Sequence, residues 1–144
     1  MTLILDAAPL VALGDARDRM QPRVEGVLRA EPGALVIPGP VTAEVDYLLR
    51  QRGGPGPARR FLEDIARGRF QVECLSRAEH ATVAELDLAY QDLNLGLADL
   101  SVVLLAQRFG TRRVLTFDER HFRVVRPLQG GIFTLLPADG PPVG

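Results

Sequence analysis

Apolar positions along this chain fall into two rhythms. Short unbroken runs, Leu3-Ile4-Leu5, Leu35-Val36-Ile37 and Val114-Leu115, suit strands buried on both faces of a parallel sheet. Phe70-Gln71-Val72-Glu73 alternates as a strand does, and Ile132-Phe133-Thr134-Leu135-Leu136 reads as the last strand. Between these runs the apolar residues recur every three or four positions. Helices are predicted over 8–14, 18–30, about 41–51, 58–67, 77–90 and 97–109, with a short turn or helix over 119–122. Ser76 with Glu79 three residues on has the form of a capping box opening the fifth helix. Glu31-Pro32-Gly33, Pro38-Gly39-Pro40 and Gly53-Gly54-Pro55-Gly56-Pro57 read as breaks, the last as a turn between two helices. Strands alternating with helices predict an α/β fold of three layers, α/β/α, around a central mostly parallel sheet of about five strands.

Composition narrows this picture without redirecting it. A chain of 144 residues, 47% hydrophobic and 24% charged, suits one globular domain, expected over residues 1–136 with a flexible tail at 137–144. No signal segment or membrane span is expected, and a cytoplasmic location follows as the expectation. The single cysteine, Cys74, excludes an internal disulfide and a cysteine-based zinc cluster. The net charge of -1 gives no overall attraction to nucleic acid, yet all 17 basic residues are arginine. Arginine suits bidentate phosphate contacts; the same bias also follows from a GC-rich genome.

Candidate chemistry lies in four acids. Asp6 ends the first strand, where open α/β sheets place their ligands. Glu44 is expected in the first turn of the helix after the second strand. Asp99 opens the most apolar helix, Leu97-Ala98-Asp99-Leu100-Ser101-Val102-Val103. Asp118 follows the fourth strand in Val114-Leu115-Thr116-Phe117-Asp118. Singly, each has an ordinary explanation as a helix cap or a partner of the helix dipole. Together they fall on one edge of a parallel sheet, where close carboxylates at ~4 Å repel by about 4 kcal/mol per pair at an effective dielectric of 20. A cation offsets that, and an all-oxygen set points to Mg²⁺ or Mn²⁺. A hard metal between carboxylates suits attack of water on a phosphodiester. His80 and His121 are not expected as ligands: the first lies on a distant helix, and the second trails Asp118 by three residues. The chain has no P-loop, G-x-G-x-x-G or G-x-S-x-G.

Leu3-Ile4-Leu5-Asp6, Val41-Thr42-Ala43-Glu44-Val45, Leu97-Ala98-Asp99 and Val114-Leu115-Thr116-Phe117-Asp118 resemble, in order and spacing, the four acidic motifs of PIN-domain ribonucleases. The size and layout are similar to VapC-like toxins of bacterial toxin–antitoxin pairs. The resemblance implies a PIN fold with Asp6, Glu44, Asp99 and Asp118 as an acidic quartet holding Mg²⁺ or Mn²⁺. It implies cleavage of single-stranded or structured RNA such as tRNA or rRNA, a homodimer, and inhibition by a VapB-like antitoxin. Thr116 matches a hydroxyl residue that orients the last acid. Asp92 matches an extra acid before the third motif, read as a supporting residue, and Arg120 is a candidate phosphate contact. Ala7 and Ala8 depart from the family's frequent Ser or Thr after the first acid. The competing readings are a catalytically inactive PIN-like module that binds RNA or protein, and a metal-dependent phosphatase. The phosphatase lacks its D-x-D pair, since Ala8 stands at the second position.

Overall fold

The computed structural model describes residues 1–141. Five strands, β1 (Leu3–Leu5), β2 (Leu35–Pro38), β3 (Gln71–Glu73), β4 (Arg113–Leu115) and β5 (Thr134–Leu136), form one sheet in the order β3-β2-β1-β4-β5. All four pairings are parallel. The sheet is thus fully rather than mostly parallel. Its apolar runs follow from burial on both faces: Leu3, Ile4, Leu5, Val36, Ile37, Val114 and Leu115 are all fully buried. β1 sits at the centre, and the strand order reverses around it. The crevice at the carboxyl ends of β1 and β4 is therefore the topological switch point, where such sheets bind ligands.

The helices are α1 (Ala7–Leu13), α2 (Gln21–Ala30), α3 (Gly39–Gly53), α4 (Pro55–Ala66), α5 (Arg77–Ala89), α6 (Leu97–Arg108) and α7 (Glu119–Phe122). They complete the expected α/β/α architecture. α6 is buried from Leu100 through Ala106 and packs against β1, β2, β4, α3 and α5. A helix apolar all round belongs in such a place. The capping box forms as the sequence predicts: Glu79 N–H donates to Ser76 Oγ (3.1 Å), and Ser76 N–H donates to Glu79 Oε1 (2.8 Å). Glu79 also pairs with Arg108, which ties α5 to the end of α6.

Two helices begin earlier than the sequence suggests. Pro38-Gly39-Pro40 does not delay α3; Pro40 lies inside its opening turn. Pro55 likewise opens α4, leaving Gly54, at φ +75°, as the hinge between α3 and α4. Proline lacks only an N–H that the first turn does not use, so it starts a helix as readily as it ends one. The expected tail begins with anchored residues. Asp139 accepts from Leu135 N–H (2.8 Å) and pairs with Arg123 (2.7 Å). Residues 142–144 of that tail lie outside the described residues. Among the described residues no helix is long and apolar enough to cross a membrane.

Candidate active site

The switch point is built on Asp6. Its backbone continues β1 by donating to Leu115 O (2.9 Å), and its side chain caps α1, with Oδ1 accepting from Ala7 N–H (2.8 Å). Oδ2 accepts from the Thr116 hydroxyl (2.7 Å), across 110 residues of sequence. Thr116 is itself fixed, since its N–H donates to Leu136 O in β5 (2.9 Å). The same hydroxyl oxygen accepts from Asp118 N–H (2.9 Å). One buried threonine thus sets the first and last acids relative to each other. A hydroxyl can donate once and accept, which is what this bridge uses.

Asp118 caps the short α7. Its Oδ1 accepts from His121 N–H (3.0 Å), and its Oδ2 lies 2.8 Å from His121 Nδ1. Asp99 is the third residue of α6 and half-buried. Glu44 is the sixth residue of α3, in its second turn, because that helix starts at Gly39. The helix dipole acts mainly within the first turn, so an electrostatic capping role explains Glu44 poorly.

The electrostatics join the four. Burial pushes the Asp6 carboxyl above the usual carboxylate range; the bonds from Thr116 and Ala7 oppose this, and the charges of Asp99 and Asp118 add to it. Burial also raises Asp99, with Asp118 and Glu44 pushing the same way; the Gly96 backbone and His121 pull it down. Glu44 lies exposed on α3; partial desolvation, and then the charge of Asp6, raise its carboxyl. Acids from four separate elements therefore act on one another at one edge of the sheet. Asp92 is not among the groups acting on these carboxylates; it lies exposed on the 3-10 turn Gln91–Leu93. Arg120 is exposed on α7, two residues past Asp118. Cavities of about 640 Å³, between α2 and β5, and about 190 Å³, beside Arg52 and Arg60, are lined by other residues.

The donor set of Asp6, Glu44, Asp99 and Asp118 is entirely carboxylate oxygen, which suits a hard divalent cation. As they stand, among the described residues, no three His, Cys, Asp or Glu side chains enclose a cation. Mg²⁺ requires no such cage, because it keeps several waters and takes one or two carboxylates directly. Burial and then mutual repulsion raise Asp6 and Asp99, and both penalties on the charged forms are what such an ion offsets.

The sequence assigns His121 no role as a ligand; the structure sets its ring against Asp118, three residues back. The three-residue spacing from a capping acid was the available signal. Its value depends on the turn being helical, which returns the ring over the cap.

Residues 3–127 match the family model of the PIN domain. The chain is 36% identical over 135 residues to "Ribonuclease VapC26" of Mycobacterium tuberculosis, covering 94% of this chain and 100% of that protein. The fold is similar to that of VapC20 of Mycobacterium tuberculosis, described as a sarcin-ricin loop cleaving toxin. That match has a TM-score of 0.74 and 18% identity, and covers 81% of this chain and 89% of the other. It is also similar to a toxin–antitoxin complex from Klebsiella pneumoniae, with a TM-score of 0.64 and 19% identity over 85% of this chain and 92% of that one. The acid-bearing parallel sheet, the family match across most of the sequence and the end-to-end kinship with a ribonuclease agree: this chain belongs to the PIN-domain family.

Proposed function

We propose that this chain is a Mg²⁺- or Mn²⁺-dependent endoribonuclease, the toxin of a toxin–antitoxin pair, with Asp6, Glu44, Asp99 and Asp118 as its acid centre. The observation that carries the proposal is the Thr116 hydroxyl bonded to both Asp6 and the Asp118 amide at the switch point of the sheet, with the fields of Glu44 and Asp99 falling on the same place. Kinship with a ribonuclease over 94% of the chain supports the reaction class. A binding module gains nothing from four acids that repel one another, whereas a hydrolase uses them to hold a cation against a phosphate.

Asp6 and Asp118 supply the rigid half of the centre, because Thr116 bonds to both. Glu44 and Asp99 supply the other half of the charge from α3 and α6. When bound, the ion lowers the pKa of the attacking water and neutralises the phosphate being cut. No side-chain nucleophile is required. Arg120 lies on the exposed face of α7 beside Asp118, and in this reading it contacts an RNA phosphate. Asp92 supports the turn leading into α6 from outside the centre. A VapB-like antitoxin as inhibitor, a homodimer and a cytoplasmic location complete the proposal, and the toxin–antitoxin complex among the structural neighbours supports the first.

Total RNA incubated with purified protein and Mn²⁺, followed by mapping of the cleaved ends, tests the reading. Asp6→Asn and Asp99→Asn should abolish cleavage while the circular dichroism spectrum is retained, and chelation should stop the wild type. Undiminished cleavage by both variants refutes the acid centre. A wild type that cuts no RNA at any Mn²⁺ concentration leaves the chain as a non-catalytic PIN-like module.

A further inference from the structure

Residue 121 meets Asp118 twice. Its backbone N–H donates to Oδ1 (3.0 Å), and its ring nitrogen Nδ1 lies 2.8 Å from Oδ2. Two lone pairs do not approach so closely, so Nδ1 carries the proton and the carboxylate accepts it. Both contacts come from the α7 side of Asp118, and Thr116 holds its backbone from the β4 side. The carboxylate is thereby pinned at its outer edge, and its unused lone pairs are left for the centre shared with Asp99 and Asp6. The His121 side chain is 26% exposed.

We propose that His121 is a positioning residue for the acid centre: its Nδ1–H fixes the rotation of the Asp118 carboxylate, so that Asp118 meets a divalent cation preorganised. The inference rests on the acid-centre reading above and adds a residue to it. Without the ring, Oδ1 keeps its backbone donor and α7 keeps its cap. The carboxylate, however, becomes free to pivot about that single bond toward water. Hydrogen bonds to ligating side chains are worth about 10- to 100-fold in metal affinity. The effect should therefore appear in cation binding before it appears in folding.

Mn²⁺ binding to the full chain, without RNA, is measured by calorimetry or electron paramagnetic resonance for the wild type, His121→Leu and His121→Asn. His121→Leu fills a similar space and lacks the donor; it should bind Mn²⁺ about 10- to 100-fold more weakly. His121→Asn carries an amide N–H near the place of Nδ1 and should recover most of that loss. Urea midpoints of the two variants should agree, because the backbone cap survives in both. Wild-type affinity in His121→Leu overturns the proposal, and so does a His121→Asn variant no better than His121→Leu. If the wild type itself binds no Mn²⁺, the acid centre fails first and His121 has nothing to position; that result needs neither variant and is thus distinguishable.

Discussion

Asp99→Asn should stabilise the metal-free protein while removing its activity. Asp99 is half-buried at the start of the most apolar helix, and it faces the charges of Asp118 and Glu44. Two charges about 6 Å apart at an effective dielectric of 20 repel by about 3 kcal/mol. Partial exposure and opposing contacts reduce this, so removing the charge relieves about 2 kcal/mol by the same relation. Against it stands the loss of a favourable acid in the first turn of α6, about 0.3–1 kcal/mol. The net gain is about 1–1.5 kcal/mol, or a rise in melting temperature of about 3–6 °C for a domain of this size. The pH dependence carries the same information. The folded-state pKa is raised, so the folded chain holds the proton more tightly than the unfolded one. Stability from this group is complete below about pH 4, the unfolded value, and is lost as pH rises through the raised folded value. The advantage of Asp99→Asn should therefore be present at pH 7 and vanish near pH 4. Urea unfolding in the presence of a chelator at both pH values decides it. A variant less stable than the wild type at pH 7, or one whose advantage persists at pH 4, would show that the acids do not repel as argued.

Thr116→Val should cost about 2–4 kcal/mol in urea unfolding, because it strips Asp6 Oδ2 and Asp118 N–H of partners at once, whereas Thr116→Ser should stay within about 1 kcal/mol. Gly54→Ala should lower stability by about 1–3 kcal/mol, since φ +75° with ψ −162° is a conformation a Cβ resists; thermal melts measure it. Arg113→Met leaves the fully buried Glu31 carboxylate with Gly33 N–H as its remaining donor, and calorimetry should show a loss of about 2–3 kcal/mol. Arg120→Ala should weaken RNA binding without changing Mn²⁺ affinity, and it should reduce the slope of log affinity against log salt by about 1.

The strands were the most legible part of the sequence. Burial on both faces leaves no room for a polar residue, so Leu3-Ile4-Leu5 and Leu35-Val36-Ile37 declare themselves without alternation. The capping box at Ser76 was equally plain, because both of its bonds lie within four residues. Proline was ambiguous. The rings at Pro40 and Pro55 read as breaks, yet each lies in the opening turn of a helix, and local sequence does not separate the two uses. The shift moved Glu44 out of the first turn and weakened its ordinary explanation. Within the site, the convergence of the acids on one sheet edge was an expectation of the sequence, but the bridge from Thr116 to Asp6 was not. The bond from Thr116 to Asp6 spans 110 residues and exists only because β1 and β4 are neighbours. The contact of His121 with Asp118 was hidden for a related reason. A ring three residues past an acid matters only when the backbone between them coils.

The first strand carries Asp6, while the fourth leads to Thr116 and Asp118; the amide of Thr116 is in turn held by Leu136, in the fifth. A ribosome extrudes these pieces in that order. Throughout translation of the first hundred-odd residues, the growing polypeptide lacks an acid of the proposed quartet, and truncation anywhere before residue 118 yields the same defect. A centre wired in this way cannot assemble until residue 118 has joined the fold, and its threonine clamp is not itself held until residue 136 has.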